Sequence, residues 1–171
     1  LNEGRRYYAG DVHFSGNEVL PEPLLKRTVR LEKGKPFDFY QYEASKKAIM
    51  DIYREDGYLF AQYEESREFV NDSVINLSFR MYEGLPAQIH KVYIHGNTKT
   101  KDKVIRREVR LFPGDTYRQS ALERSFREIM QLNYFDMVLP DIKVVNEQEV
   151  DLDFTVTEKE AGTGQFSLGV A

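Results

Sequence analysis

Val12-His13-Phe14-Ser15-Gly16-Asn17 and Val92-Tyr93-Ile94-His95-Gly96-Asn97 are one six-residue phrase written twice, 80 positions apart. In each copy an apolar residue alternates with a polar one and then meets Gly-Asn. Alternation is the mark of a half-buried strand, and Gly-Asn is a turn signal. The phrase is part of a longer repeat at the same shift. Arg27-Thr28-Val29-Arg30-Leu31 returns as Arg107-Glu108-Val109-Arg110-Leu111, Gly34 as Gly114, and Ile49-Met50 as Ile129-Met130. Glu3-Gly4 returns as Glu83-Gly84. Further on, Leu77-x-Phe79-x-Met81 matches Leu152-x-Phe154-x-Val156 at a shift of 75, so the second copy has lost residues at a surface turn.

Each copy reads as strand, helix, helix and a closing hairpin. The first strand spans Asp11 to Phe14, and then Lys91 to Ile94. The first helix starts near Pro23, and near Thr100 as N-cap. Tyr42, Ile49 and Tyr53, and later Leu122, Phe126 and Ile129, fall on one face of a second helix. That helix is expected to stop at Gly57 and at Asn133, residues that tolerate a left-handed cap. The hairpin's second strand is the plainest: Leu77, Phe79 and Met81, then Val150, Leu152, Phe154 and Val156, alternating with polar neighbours. One buried face and one wet face imply helices on one side of the sheet only. The fold class is therefore α+β, with two β-α-α-β-β units at residues 5–84 and 85–161. Residues 1–4 read as the tail of a preceding unit, because Glu3-Gly4 repeats the close of unit one.

Composition narrows the function. The chain has 171 residues with 24 basic and 28 acidic side chains, a net charge of −4. A nucleic-acid binder carries a basic surplus, so none is expected as a partner. There is no cysteine, which removes thiol nucleophiles, disulfides and thiolate metal sites. No nucleophile elbow or phosphate loop occurs, and no acid–base pair is placed by spacing. The chain reads as no enzyme and as carrying no cofactor. His13 stands alone, and His90 and His95 are five apart, a spacing that sends strand side chains to opposite faces. No metal is expected. Lys99-Thr100-Lys101-Asp102-Lys103 reads as a solvated helix start, with contact to lipid headgroups as the other reading.

A tandem β-α-α-β-β unit with Gly-Asn after its first strand resembles the POTRA (polypeptide-transport-associated) domain, over nearly the whole chain. The C-terminal part, through Arg106-Arg107-Glu108-Val109-Arg110, Gly114-Asp115, Leu132-Asn133-Tyr134-Phe135 and Val156-Thr157-Glu158-Lys159, is similar to the last POTRA of the BamA-type outer-membrane β-barrel assembly proteins. Residues 162–171 resemble a flexible start of that family's first barrel strand, with Phe166, Leu168 and Val170 alternating. The resemblance implies two tandem POTRA modules, each a three-stranded mixed sheet with two helices on one face. It implies a place at the periplasmic face of the bacterial outer membrane. The implied partners are unfolded outer-membrane proteins and accessory lipoproteins of the assembly complex, with periplasmic chaperones also in reach and the membrane met through a barrel. The other functional readings are a passive orienting spacer, or the POTRA arm of a TamA-type or two-partner secretion transporter.

The resemblance also makes the first hairpin strand the free edge of each sheet. An open edge offers backbone N–H and C=O groups to an extended client, which is β-augmentation. In unit one the edge is expected over Phe60, Ala61, Gln62, Tyr63, Glu64, Glu65 and Ser66. In unit two it is expected over Met137 to Val144, interrupted by Pro140, which has no N–H to give. Unit one is the better client edge on that ground. Glu64-Glu65 and Arg67-Glu68 support the opposite reading, an edge protected by charge. A proline placed at Gln62 tests the edge if that N–H points outward; otherwise Tyr63 is the position. A partner-binding surface is expected at Arg106, Arg107, Arg110 and Gly114. The recurrence of two of these arginines as Arg27 and Arg30 favours a structural role instead.

Overall fold

The computed structural model describes residues 6–160. The expectations for residues 1–4 and 162–171 lie outside the described residues. Module one runs β1 (Tyr8–Ser15), α1 (Glu22–Thr28), α2 (Phe39–Glu55), β2 (Gln62–Val70) and β3 (Val74–Tyr82). Module two repeats it as β4 (Gln88–His95), α3 (Asp102–Arg106), α4 (Gln119–Gln131), β5 (Phe135–Val144) and β6 (Glu149–Glu158). The sheet orders are β1-β3-β2 and β4-β6-β5. In each sheet the closing strand is central, parallel to the first strand and antiparallel to the hairpin strand.

The alternation read in the sequence is the packing. Ile75, Leu77, Phe79 and Met81 of β3 are buried, as are Val150, Leu152, Phe154 and Val156 of β6. On the helix side they meet Leu25, Tyr42, Ile49 and Tyr53 in module one, and Ile105, Leu122 and Ile129 in module two. Phe126 is only partly buried. Ser45 and Ser125, also 80 apart, are buried among these side chains. Each hydroxyl donates to the carbonyl one turn back, at 2.6 and 2.7 Å, and accepts the N–H of Arg30 or Arg110 at 2.8 Å. They satisfy the loop that follows the short first helix, where a buried N–H would otherwise lack an acceptor.

The Gly-Asn turns sit where strand one leaves the sheet. Gly16 and Gly96 have φ of 72° and 86°, and a Cβ on either would run into the carbonyl oxygen of Met81 or Val156. Only glycine meets both demands. The asparagines brace the same turns, donating to Leu20 O at 2.9 Å and to Thr100 O at 3.0 Å. The helix after the second turn begins one residue later than Thr100, with Lys101 as its cap. The Thr100 N–H is already given to Glu158, at 2.6 Å.

Glu83 and Glu158 are the closing residues of their modules, and both fold back onto the Gly-Asn turn. Glu83 accepts the N–H groups of Glu18 and Val19 at 2.8 and 2.9 Å and the Tyr53 hydroxyl at 2.6 Å. Burial opposes its charge, but these three bonds outweigh it and hold the carboxyl below its usual range. Glu158 accepts the Thr98 hydroxyl at 2.7 Å and the Lys99 and Thr100 N–H groups. Those bonds, the Thr98 hydroxyl first, bring its pKa down to about 2. The closing glutamate of each module is thus a carboxylate clasp that ties the last strand to the first turn.

Candidate functional site

A three-stranded sheet has two edges, and here one is partly closed by the chain itself. Along the first half of β1, Ala9 donates to Lys35 O at 2.9 Å and accepts from Gly34 at 2.7 Å. Ile89 of β4 does the same with Asp115 and Gly114, at 2.8 and 2.7 Å. Gly114, expected in a partner surface, belongs to this closing loop, as Gly34 does in module one.

The hairpin strands β2 and β5 form the other edges. Which of their N–H groups point outward follows from the central strands. The Ser73 carbonyl accepts the Tyr8 N–H at 2.8 Å, and the Ile75 and Met81 oxygens lie against Gly10 and Gly16 of β1. Backbone direction alternates along a strand, so the even-numbered residues of β3 face β2. The register pairs Gln62 with Tyr82, Glu64 with Arg80 and Ser66 with Ser78. Gln62 therefore points inward, and Tyr63, Glu65, Arg67 and Phe69 present their N–H groups to solvent.

Just before β6 the Gln148 carbonyl accepts the Gln88 N–H at 2.7 Å, and within it the Val156 oxygen lies against Gly96, so the odd-numbered residues of β6 face β5. They pair with Leu139, Asp141 and Lys143. Val138, Pro140, Ile142 and Val144 are left facing out. Pro140 costs the sheet no internal bond and removes one donor from the middle of the open edge.

Two of the expected edge residues are not on the edge. β2 begins at Gln62, after a turn in which Ala61 donates to Tyr58 O at 3.2 Å. Ala61 is buried in the first core. Phe60 turns away and packs, with Leu59, against the core of module two. Phe60 also lines an apolar groove of about 580 Å³ between the modules, with Gly84, Leu85, Val144, Asn146 and Glu147. The strand continues instead to Val70, beyond the expected Ser66.

The charges on β2 divide between the two faces of the sheet. Glu65 and Arg67 lie opposite Phe79 and Leu77, on the helix side, and join each other at 2.6 Å. Glu65 meets Lys46 at 3.4 Å, and Lys46 and Arg67 both lie over the Tyr42 ring, at 4.4 and 5.1 Å. Burial opposes the Glu65 charge, but bonds from Tyr42 and Arg67 and the Lys46 charge overcome it and hold the carboxyl low. Burial and that same carboxylate push the Tyr42 hydroxyl up to about 12. Tyr63 packs edge-on to Phe79 at 5.7 Å. Gln62, Glu64, Ser66 and Glu68 are on the bare side of the sheet.

The expected partner arginines are engaged within module two. Arg106 grips Asp102 through two bonds of 2.8 and 3.0 Å and donates to the Val92 carbonyl of β4 at 3.2 Å. Arg107 pairs with Glu108 at 2.8 Å. Arg110 pairs with Glu128, which also holds Arg124 at 2.9 Å. Arg110 lines an open cleft of about 640 Å³ with Arg118, Arg124 and Arg127. Sequence spacing does not join the last three to Arg110, since they belong to α4 and its approach while Arg110 precedes them by a loop.

The cleft borders the junction between modules. Ser120, at the start of α4, donates its N–H and hydroxyl to Glu55 at 2.9 and 2.6 Å. The Ser120 hydroxyl, then its N–H and the Arg118 charge, hold the Glu55 carboxyl below its usual range against a burial cost.

The histidines share a face. The register slips between Ile89 and Lys91, and this extra residue makes the five-residue spacing behave as an even one. His90 meets Asp151 at 2.8 Å and His95 meets Asp153 at 3.4 Å, both on the bare side of β6. Among the described residues no group of three or more His, Asp or Glu is arranged to hold a metal ion.

Residues 7–84 and 87–159 each match the POTRA family, described as surface antigen variable number repeat. The chain is 31% identical to a putative outer membrane protein assembly factor of Treponema pallidum, over 97% of this chain and 20% of that protein. It is 29% identical to the outer membrane protein assembly factor BamA of Nitratidesulfovibrio vulgaris, over 99% of this chain and 22% of that one. It thus spans about a fifth of the length of these curated relatives. Among solved structures, Haemophilus influenzae BamA POTRA3-5 superposes with a TM-score of 0.75 at 19% identity, covering 90% of this chain and 61% of that one. BamA from Haemophilus ducreyi lacking POTRA domains 1–3 superposes with a TM-score of 0.72 at 20% identity, covering 90% and 29%.

Proposed function

Because the chain belongs to the POTRA family, as two tandem modules, we propose that it is the polypeptide-handling part of a BamA-type protein at the periplasmic face of the outer membrane, where β2 takes up extended segments of unfolded outer-membrane proteins by strand addition. The observation that carries this reading is the unbroken open edge of β2. Its outward N–H groups, at Tyr63, Glu65, Arg67 and Phe69, are spaced as a ladder, and none is a proline. Backbone bonds do not read side chains, which suits a site that must accept many sequences. Binding is weak, since a short edge makes few bonds and the client loses conformational freedom on pairing.

The test is an amide-shift titration with an extended amphipathic peptide taken from a barrel strand. Shifts are expected along residues 62–70. Tyr63→Pro removes an outward donor but disturbs the contact with Phe79. Arg67→Pro removes one and costs the core only the guanidinium contact with Tyr42. Either variant is expected to weaken binding about fivefold, the effect of one backbone hydrogen bond worth about 1 kcal/mol. Shifts confined to the helices, or unchanged affinity in both variants, would favour the orienting spacer.

The basic cleft around Arg110, Arg118, Arg124 and Arg127 supports a second, compatible role, docking an accessory lipoprotein through carboxylates. Arg124 is the more exposed of the two arginines that Glu128 holds. Arg124→Gln is expected to slow association with the lipoprotein and flatten its salt dependence, with the melting temperature little changed. A parallel loss of stability would mean that the cluster only holds the module together.

A further inference from the structure

The apolar groove between the modules lies where two open edges meet. Phe60 lines it from module one, two residues before β2 begins at Gln62. Val144, the last residue of β5, lines it from module two. Gly84 and Leu85 of the linker complete the apolar lining. The junction holds its walls in place. Ala87 donates its N–H to the Gly57 carbonyl at 2.9 Å, Ser120 holds Glu55, and Leu59 and Phe60 pack on the core of module two. Apolar side chains are nonetheless left to solvent there, with Leu85 52% and Val144 65% exposed. Exposed apolar residues gathered at a groove mark a binding surface.

We propose that an extended client held on β2 continues through this groove onto the last residues of β5, and seats a large apolar side chain in the groove between the two paired stretches. The proposal rests on the reading of β2 as the client edge and adds a side-chain subsite to it. Chain direction is the argument for this occupant. β5 ends at the groove and β2 starts from it, so the two edges run head to tail. A segment antiparallel to β2 travels from Val70 to Gln62, crosses the groove, and is antiparallel to β5 when it reaches Val144. It meets the outward N–H groups of Phe69, Arg67, Glu65 and Tyr63, and then those of Val144 and Ile142. The next position is Pro140, which has none, so the composite edge ends there.

Side-chain direction is the same on both strands. Tyr63 and Ile142 each carry an outward N–H and each pack against the core of their own module. A client of alternating pattern therefore lays its apolar side chains toward the helix side of both sheets. A groove of this volume is about 10 Å across, or three extended residues, so the whole path takes a segment of about 16 residues. Backbone pairing alone reads no sequence, whereas the groove selects for a bulky apolar residue partway along the segment.

Two synthetic amphipathic peptides test this in amide-shift titrations of the chain. One has about nine residues, enough for β2, and the other extends it to about 16 with phenylalanine at the crossing. The longer peptide should bind at least about tenfold tighter, through two more backbone bonds and a buried ring. Its shifts should include Leu85, Ile142, Val144 and Asn146 as well as residues 62–70. Leu85→Asp places a charge in the groove, and Val144→Pro removes the first donor of β5. Each should cost the longer peptide at least about threefold in affinity, as should serine in place of its phenylalanine. Equal affinity of the two peptides, with shifts confined to residues 62–70, would overturn the composite edge and leave the reading of β2 standing. Absence of shifts on β2 with either peptide would overturn both. Shifts at Leu85 and Val144 that grow with protein concentration before any peptide is added would also overturn the proposal, and would assign the groove to a second copy of the chain.

Discussion

Phe154→Ala is expected to destabilise module two by about 3–5 kcal/mol, and Phe79→Ala to do the same to module one. Both side chains are buried at the centre of the middle strand, where every other layer of the module meets. Phe79 is stacked on Phe14 at 5.3 Å and touched edge-on by Tyr63, so its removal leaves two further rings without a neighbour. The cost is the lost burial plus the cavity that the sheet cannot close. Stability of a small module is about 5–15 kcal/mol in all, so either variant should melt far earlier in a urea or thermal titration. A loss under about 1 kcal/mol for either one would contradict the packing described here, since only surface positions are that tolerant.

Glu83→Ala is expected to cost about 2–4 kcal/mol, more than removal of most surface carboxylates, because it strands a buried hydroxyl. The Tyr53 hydroxyl is the decisive one, since the ring is fully buried and its partner is Glu83. The N–H groups of Glu18 and Val19 lose their acceptor at the same time. Glu83→Gln should recover part of the loss, as its carbonyl oxygen still accepts. Glu158→Ala should be milder. Its clasp is exposed, and the shorter α4 brings no buried tyrosine to it. Unfolding curves for the three variants check the order, and a Glu83→Ala protein within about 0.5 kcal/mol of the parent would refute the clasp.

Much of this fold is legible in the sequence because its signals are local. Leu77-x-Phe79-x-Met81 declares a half-buried strand by itself, and Gly57 and Asn133 do stop their helices in left-handed conformation, with φ of 93° and 59°. What is not legible depends on distant partners. Phe60 and Ala61 have the composition of a strand, yet one is drawn into the neighbouring module and the other into its own core. A one-residue bulge at His90 leaves no trace in composition but reverses which face the following side chains take. Glu65 and Arg67 look like edge guards until the register turns them toward Tyr42. The pair Ser45 and Ser125 was legible at the repeat shift. The arginines of α4 were legible only as a solvated face, since their cleft needs Arg110 from another loop.

Pro140 has a consequence for how copies of this chain meet. Sheets that add strand to strand grow into fibres only when each unit offers two usable edges, one for each neighbour. Here β1 and β4 are half closed by their own loops, and β5 is interrupted at its middle outward position. That leaves β2 as the one long uninterrupted edge among the described strands. Two copies joined through β2 would exhaust each other's capacity, and the stack would end there. An open edge at β2 is thus compatible with a chain that does not polymerise through it.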